Sequence, residues 1–237
     1  MVRLWLVSKY TINGAMVSHI VQTLDKVTLL GASSVSDVVL QESLRLAPVL
    51  VAADGGASTA IKRGLMPQAV IGDLDSLDDQ TQAAIPAERL YRISEQDSTD
   101  FEKALSRIAA PLVLAVGFTG QRLDHELAVY ASLVRYGERP VIVVGDEDIC
   151  FVAPHALSLI LPLGTRVSLF PMNEVTCAST GLRWSTEGLV FAPWGRVGTS
   201  NEAAADLVTL APSAPCLLVI LPRTQLTAAI DALLGGL

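Results

Sequence analysis

The sequence is poor in the residues that build disulfide frameworks and soft-metal sites. Its three cysteines, Cys150, Cys177 and Cys216, stand far apart, with no CxxC and an odd count. That excludes a disulfide scaffold or a zinc ribbon, and the three read as buried thiols of a reducing compartment, with the cytoplasm as the expected location. The three histidines (His19, His125, His155) form no HxxxH pair. No apolar run approaches the ~18–20 residues of a membrane helix. Neither GxxxxGK[ST] nor GxGxxG occurs, which excludes a P-loop enzyme and a dinucleotide fingerprint. Basic residues are outnumbered, 17 Lys+Arg against 24 Asp+Glu, for a net charge of −7. This argues against a nucleic-acid binder that relies on a broad basic surface. Met1–Ala15, with Arg3, Lys9 and Asn13, makes a poor secretion signal. Met16 is a candidate second start, because the first strong pattern begins near Lys26.

What is present is core-forming residue. Hydrophobic residues make up 51% of 237 and charged residues 17%, a folded chain with room for one large domain or two modest ones. Half of the acids, twelve of 24, lie between Asp54 and Glu126 together with seven bases, so most of the net charge sits in under a third of the chain.

From Lys26 to about Cys150, short runs rich in Val, Ile and Leu alternate with amphipathic runs. Strands are expected at Val27–Leu30, Val49–Ala53, Ala69–Ile71, Leu90–Ile93, Leu112–Val116 and Val141–Val144, and their lack of polar alternation suits parallel strands buried on both faces. Helices are expected near Asp37–Leu46, Ser58–Arg63, Asp78–Ala84, Ser98–Ala109 and Arg122–Tyr136. In the fourth, Phe101, Ala104, Leu105 and Ile108 share a helical face. The alternation predicts an α/β layer fold with a mostly parallel sheet. After Cys150 the pieces shorten: Leu157–Leu161, Arg166–Pro171, Gly181–Trp184, Gly188–Phe191, Ala205–Leu210 and Cys216–Leu221 read as strands of a smaller all-β domain. Thr224–Leu234 reads as a closing helix. The expected division is an extension over 1–25, an α/β domain over 26–152 and a β domain over 153–237.

The acids recur where strands end. Asp54-Gly55-Gly56 follows one strand, and Gly72-Asp73-Leu74-Asp75-Ser76 the next. Gln96-Asp97-Ser98-Thr99-Asp100 follows a third, and Gly117-Phe118-Thr119-Gly120-Gln121-Arg122-Leu123-Asp124-His125 a fourth. In an open parallel sheet these ends form one edge, where ligand crevices lie. Carboxylates converging there repel unless a cation sits among them. Mg²⁺, which takes a few carboxylates and bridges phosphates, is the expected guest. Gly55, Gly56, Gly117 and Gly120 permit close backbone approach to phosphate, and Lys103 and Arg122 are the nearest bases. Each feature taken singly has a plainer reading. Asp97 and Asp100 have N-cap and N3 spacing, and a DxD occurs in many surface turns. Asp124 suits a first helical turn, and His125 suits packing. Asp78 and Asp79 look like N-terminal acids of the next helix. The joint position of four acidic turns favours a site.

These blocks resemble the thiamine pyrophosphokinase family, motif by motif and in order: Asp54-Gly55-Gly56-Ala57, Gly72-Asp73-Leu74-Asp75-Ser76, Gln96–Leu105 and Gly117–His125. Gly181-Leu182-Arg183-Trp184 and Ser200-Asn201-Glu202 are similar to that family as well. The resemblance covers about Val27 to Leu221. It implies a nucleotide-binding α/β domain joined to a β-sandwich-like domain. It also implies a homodimer with the thiamine site shared across its interface, and transfer of the diphosphate of ATP to the hydroxyl of thiamine with release of AMP. By motif position it implies that Asp73, Asp75 and Asp100 hold Mg²⁺ and, with Lys103, form the catalytic group, supported by Asp54, Asp97 and Asp124. Gln96, Asp97, Thr99, Lys103, Arg122 and Asp124 would meet substrate or ATP phosphates, with Asp54, Gly55, Gly56, Gly117, Thr119 and Gly120 around the nucleotide. Trp184 would stack on the thiamine pyrimidine, and Ser200 and Asn201 would bond near it. Gln121 departs from the family, which commonly has a second Gly there, and Trp194 and Arg196 match no family pattern. Two other readings remain open on the residues alone: a Mg²⁺-dependent nucleotide-sugar transferase using the DxD, and a non-catalytic thiamine or nucleotide sensor.

Overall fold

The computed structural model describes residues 11–12, 15–16 and 18–235. Readings placed on residues 1–10, 13, 14 and 17, much of the expected extension, lie outside the described residues. The fold is mixed α/β. By internal packing the chain divides into two units, Met1–Val129 and Tyr130–Leu237.

The first unit opens with β1 (Thr11–Ile12) paired to β2 (Ala15–Met16), then β3 (Val21–Gln22). There follow β4 (Val27–Leu30), α1 (Asp37–Leu46), β5 (Val49–Ala53), α2 (Gly56–Lys62), β6 (Ala69–Gly72), α3 (Asp79–Ala84) and β7 (Leu90–Arg92). Next come α4 (Asp100–Leu105), β8 (Ile108–Ala109), β9 (Val113–Val116) and α5 (Leu123–Arg135), within which the division of the chain falls. Strands β9, β4, β5, β6 and β7 lie in that order, all parallel. Nearly every residue of β4, β5, β6 and β9 is buried, as expected of strands covered on both faces. Thr28, the polar residue of β4, is also buried and donates to the Ala47 carbonyl at 2.7 Å. The register pairs Leu30 with Val116, Ala53 with Ile71 and Gly72 with Arg92, so the carboxyl ends share one edge.

The helices start where local chemistry stops them unravelling. Ser36 caps α1 through the Val39 N–H at 3.3 Å, and Asp78 caps α3 through the Thr81 N–H at 2.6 Å, each satisfying a donor that the helix leaves open. The α4 helix is shorter than its apolar spacing predicts. Its cap is Thr99, with the Glu102 N–H on its hydroxyl at 3.4 Å, rather than Asp97. The helix ends at Leu105, and Ile108 leaves it. The Arg107 carbonyl accepts from Ile20 and Val21, and β8 pairs in parallel with β3. A sequence-distant strand thus takes the backbone bonds that the last helical turn needed.

In the second unit β10 (Val141–Val144) is antiparallel to β11 (Asp148–Val152), a strand that the sequence pattern missed. The others are β12 (Leu157–Ile160), β13 (Arg166–Pro171), β14 (Val175–Thr180), β15 (Val190–Phe191), β16 (Gly198–Glu202), β17 (Leu207–Pro212) and β18 (Leu217–Pro222), followed by α6 (Leu226–Gly235). Two antiparallel arrangements form, β16-β13-β18-β11-β10 and β12-β17-β14-β15, and α6 packs on β12. Gly181–Trp184, expected as a strand, makes only an isolated bridge between Leu182 and Ala203. The Asn201 side chain, not a neighbouring strand, holds the Trp184 backbone there.

Candidate active site

At the carboxyl edge of the first unit the chain turns sharply after each strand. Asp54 follows β5 with φ +40°, and Leu74 follows β6 with φ +64°. Such left-handed backbone is unfavourable for non-glycine residues and persists only when its surroundings hold it. Here the hold is mutual: the buried Asp54 Oδ1 accepts the Leu74 N–H at 2.9 Å. Gly56, the first residue of α2, sits against β4, where a Cβ would fall 2.1 Å from the Leu30 carbonyl oxygen. Only glycine lets α2 start this close to the sheet. The Gly117 turn after β9 has φ +73° and packs on the Gly31 and Ser33 carbonyls. In the next turn Gly120 takes the left-handed position at φ +85°, and Gln121 does not.

These turns bring three carboxylates together. Asp54, Asp73 and Asp75 each offer an oxygen within 4.8 Å of the others. All the donors are carboxylate oxygens, a set that suits a hard divalent cation such as Mg²⁺ rather than zinc or copper. Asp100, also expected in the metal group, reaches this cluster through Lys103. The Lys103 ammonium lies 2.9 Å from Asp73 Oδ2 and 3.4 Å from Asp100 Oδ1. Burial pulls the Lys103 pKa down, but the Asp73 hydrogen bond and the Asp100 and Asp73 charges outweigh it, leaving it above its ordinary value. The Lys103 hydrogen bond holds the Asp73 carboxyl below the usual range. Burial, reinforced by the negative charge of Asp54, pushes Asp100 up despite its lysine partner.

A cleft of about 200 Å³ opens beside the cluster, lined in part by Asp54, Gly55, Thr99, Asp100, Gly117 and Arg122. Residues that sequence reasoning passed over also line it. Ala32 and Ser33 follow β4, and Ser76, Phe101, Phe118 and His125 line it as well. The signal for Ala32 and Ser33 was the small-residue turn after a strand, which resembles the other turns except that it lacks an acid. The Phe118 ring stands edge-on to Phe101, 4.9 Å between centroids. His125, for which packing was the plainer reading, is exposed on this wall.

Arg122 spends its guanidinium on Asp124, with Nη2 2.7 Å and Nε 3.2 Å from the two carboxylate oxygens. Those bonds hold Asp124 down to about 2. Gln96 and Asp97 are exposed, and their turn is organised by Glu95, which accepts the N–H groups of Asp97 (2.9 Å) and Ser98 (3.2 Å) and the Ser98 hydroxyl. Thr119 is half-buried in the loop before α5, where Glu126 accepts the Gly120 N–H at 3.0 Å. Asp78 and Asp79 stand at the start of α3, as the sequence indicates.

The second unit carries a cleft of its own, about 160 Å³, lined by Trp184, Thr186, Arg196, Thr199 and Asn201 among others. Trp184 is 55% exposed, with the Arg183 guanidinium 5.0 Å from its ring centroid. Asn201 is buried. Its amide donates to the Trp184 carbonyl at 2.7 Å, and its oxygen accepts from the N–H groups of Trp184 and Glu202. Ser200 holds φ +61° and donates its N–H to the Ser168 hydroxyl at 3.0 Å. Arg196 thus lines the cleft, and Trp194 stands exposed on the preceding turn.

Comparison with known proteins agrees with this picture. Residues 40–148 match the family model described as thiamin pyrophosphokinase, catalytic domain. Thiamine pyrophosphokinase 1 of Oryza sativa is 26% identical over 215 residues, covering 73% of this chain and 81% of its own. Thiamine pyrophosphokinase 1 of Arabidopsis thaliana is 25% identical, covering 73% and 80%. Among solved structures, thiamin pyrophosphokinase from Candida albicans matches with a TM-score of 0.73 at 15% identity, over 84% of this chain and 89% of that one. The yeast enzyme matches with a TM-score of 0.69 at 16% identity, over 97% and 98%. The catalytic-domain match and the named relatives make this chain similar to the thiamine pyrophosphokinases, and the solved structures share its fold.

Proposed function

We propose that this chain is a thiamine pyrophosphokinase, an enzyme that transfers the diphosphate of ATP to the hydroxyl of thiamine and releases AMP. The observation that carries the reading is the convergence of Asp54, Asp73 and Asp75, beside Lys103 and Asp100, on one edge of a parallel sheet next to a cleft. Phosphoryl-type transfer needs alignment and charge stabilisation more than covalent help from the protein.

Asp73, Asp75 and Asp100 would hold Mg²⁺, with Asp54 supporting them, and the ion would supply charge neutralisation on the transferred phosphates. The chain's own groups do the rest. Lys103 and Arg122 meet phosphate oxygens, and Arg122 exchanges its Asp124 partner for them. The backbone N–H groups at Gly55, Gly56 and Gly117–Gly120, with Thr119, approach the nucleotide. Gln96, Asp97 and Thr99 orient the acceptor, and one carboxylate of the edge takes the hydroxyl proton.

Trp184 stacks on the thiamine pyrimidine, Ser200 bonds beside it, and Asn201 acts through the Trp184 backbone it holds. Thiamine is cationic, so an acidic crevice favours it. In this reading residues 26–152 form the ATP- and Mg²⁺-binding part. Residues 153–237 form a β-sandwich-like, thiamine-binding and dimerising part, and the enzyme works as a cytoplasmic homodimer. Exposed Ile160 and Leu207, paired across β12 and β17, support an apolar surface for a second copy.

The test is AMP release from ATP with Mg²⁺, with and without thiamine. AMP that appears only with thiamine, in step with thiamine diphosphate, is the expected result. Turnover of a nucleotide-sugar instead, or thiamine binding without AMP, would replace the reading.

A further inference from the structure

Lys103 occupies a place that a metal ion would suit. Its side chain is 3% exposed, and its ammonium bridges Asp73 and Asp100 at 2.9 and 3.4 Å. Asp73 belongs at the same time to the three-carboxylate cluster with Asp54 and Asp75. Backbone bonds fix the place of the lysine in α4. Its N–H bonds to the Thr99 carbonyl at 2.8 Å, and its carbonyl accepts from the Ser106 hydroxyl at 3.1 Å and Arg107 Nη1 at 2.9 Å. The helical turn that aims the ammonium at the acids is therefore fixed from both sides.

An ammonium among carboxylates answers their mutual repulsion in the same way as a cation. It also repels an arriving divalent ion and engages Asp73, one of the carboxylates that the ion would use. A polyphosphate changes this balance, because it brings negative charge that can serve both the metal and the lysine.

We propose that Lys103 is the resident counterion of the acidic edge, that it keeps bare divalent ions weakly bound, and that the metal enters together with the nucleotide. Lys103 then transfers from the carboxylates to a phosphate. The inference rests on the Mg²⁺- and ATP-dependent function proposed above and concerns the order in which its cations arrive.

The experiment titrates Mn²⁺ into the full chain without nucleotide, read by the loss of the free-ion electron paramagnetic resonance signal. Wild type should bind weakly, and Lys103→Met at least about tenfold more tightly, because a repelling charge is gone and the carboxylate oxygen is released. Lys103→Arg, which keeps the charge, should stay near wild type. Melting should follow the same order: Mn²⁺ raises the melting temperature of Lys103→Met but hardly that of wild type. If Lys103→Met folds only on addition of Mn²⁺, that result also supports the counterion role. If it folds in neither condition, Lys103→Gln carries the comparison. Mn²⁺ affinity that is unchanged or weaker in the neutral variants overturns the inference. Should that occur while wild type still releases AMP on thiamine addition, only the inference falls. Loss of thiamine-dependent AMP release in wild type overturns the function itself.

Discussion

Replacing Gly56 by alanine tests how the sheet positions the site. The added Cβ would stand 2.1 Å from the Leu30 carbonyl oxygen and 2.8 Å from its carbon. Comfortable C···O contacts begin near about 3.3 Å, so α2 and β4 must part by roughly 1 Å. Neither neighbour is a flexible side chain, because both contacts are backbone of a buried strand. Overpacking of this kind costs about 1–3 kcal/mol. The alanine gains little helix propensity in return, because the position is the first of α2. For a chain of this size the loss corresponds to a fall in melting temperature of about 2–4 °C per kcal/mol. The effect on activity should exceed the effect on stability. The displaced backbone leads directly from Asp54 and Gly55, both on the cleft wall, and a misplacement of about 1 Å can cost on the order of 100-fold in rate. Urea unfolding and steady-state AMP release measure the two effects. Gly64→Ala, just past α2, is the control, since nothing lies within 4 Å of its Cβ and its strain comes only from φ +70°. If Gly56→Ala unfolds like wild type and turns over at full rate, the close approach does not position the edge as argued.

Four other outcomes follow from the same geometry. Asp73→Asn and Asp100→Asn should each lower turnover about 100-fold or more. Their stabilities should differ: Asp73→Asn removes the nearest partner of Lys103 and costs about 1–3 kcal/mol, whereas Asp100→Asn removes a charge that burial already disfavours and leaves the melting temperature level or higher. Full activity in both variants would sink the metal assignment. Trp184→Ala should raise the KM for thiamine far more than that for ATP, and equal rises would remove the stacking role. Asn201→Ala should repeat that KM pattern at a stability cost of about 1–3 kcal/mol, since three hydrogen bonds to backbone groups are lost; a wild-type KM for thiamine would refute it. The Asp124 carboxyl should titrate near about 2 by NMR and return toward 3.8 in Arg122→Ala. Because the folded value is lowered, the pair's contribution is present above 3.8 and is lost as the pH falls toward 2. A midpoint that ignores the substitution would disprove the cause.

The parallel half of the fold was legible because its signal is local. Val27–Leu30 and Val49–Ala53 are short apolar runs between amphipathic segments, and the structure forms strands with those bounds. The acidic turns were legible for the same reason: each follows its strand directly, and a parallel register carries every carboxyl end to one edge. The strands β11, β14 and β16 were not legible. Thr176 and Ser200 break the apolar pattern of β14 and β16, whose backbones are satisfied by partners distant in the chain, and the short run of β11 is held between β10 and the distant β18. The lost last turn of α4 has the same origin, since β3 lies far from β8 in sequence.

The sequence by itself determined the α/β alternation, the chemistry at the strand ends and the family resemblance, because residue type and spacing carry all three. Tertiary structure alone decided which carboxylates meet. Asp54 joins Asp73 and Asp75 through its bond to the Leu74 backbone, while Asp100 shares the Lys103 ammonium with Asp73. Spacing along a chain cannot express that choice, because it depends on turn dihedrals and on where a buried ammonium finds its partners.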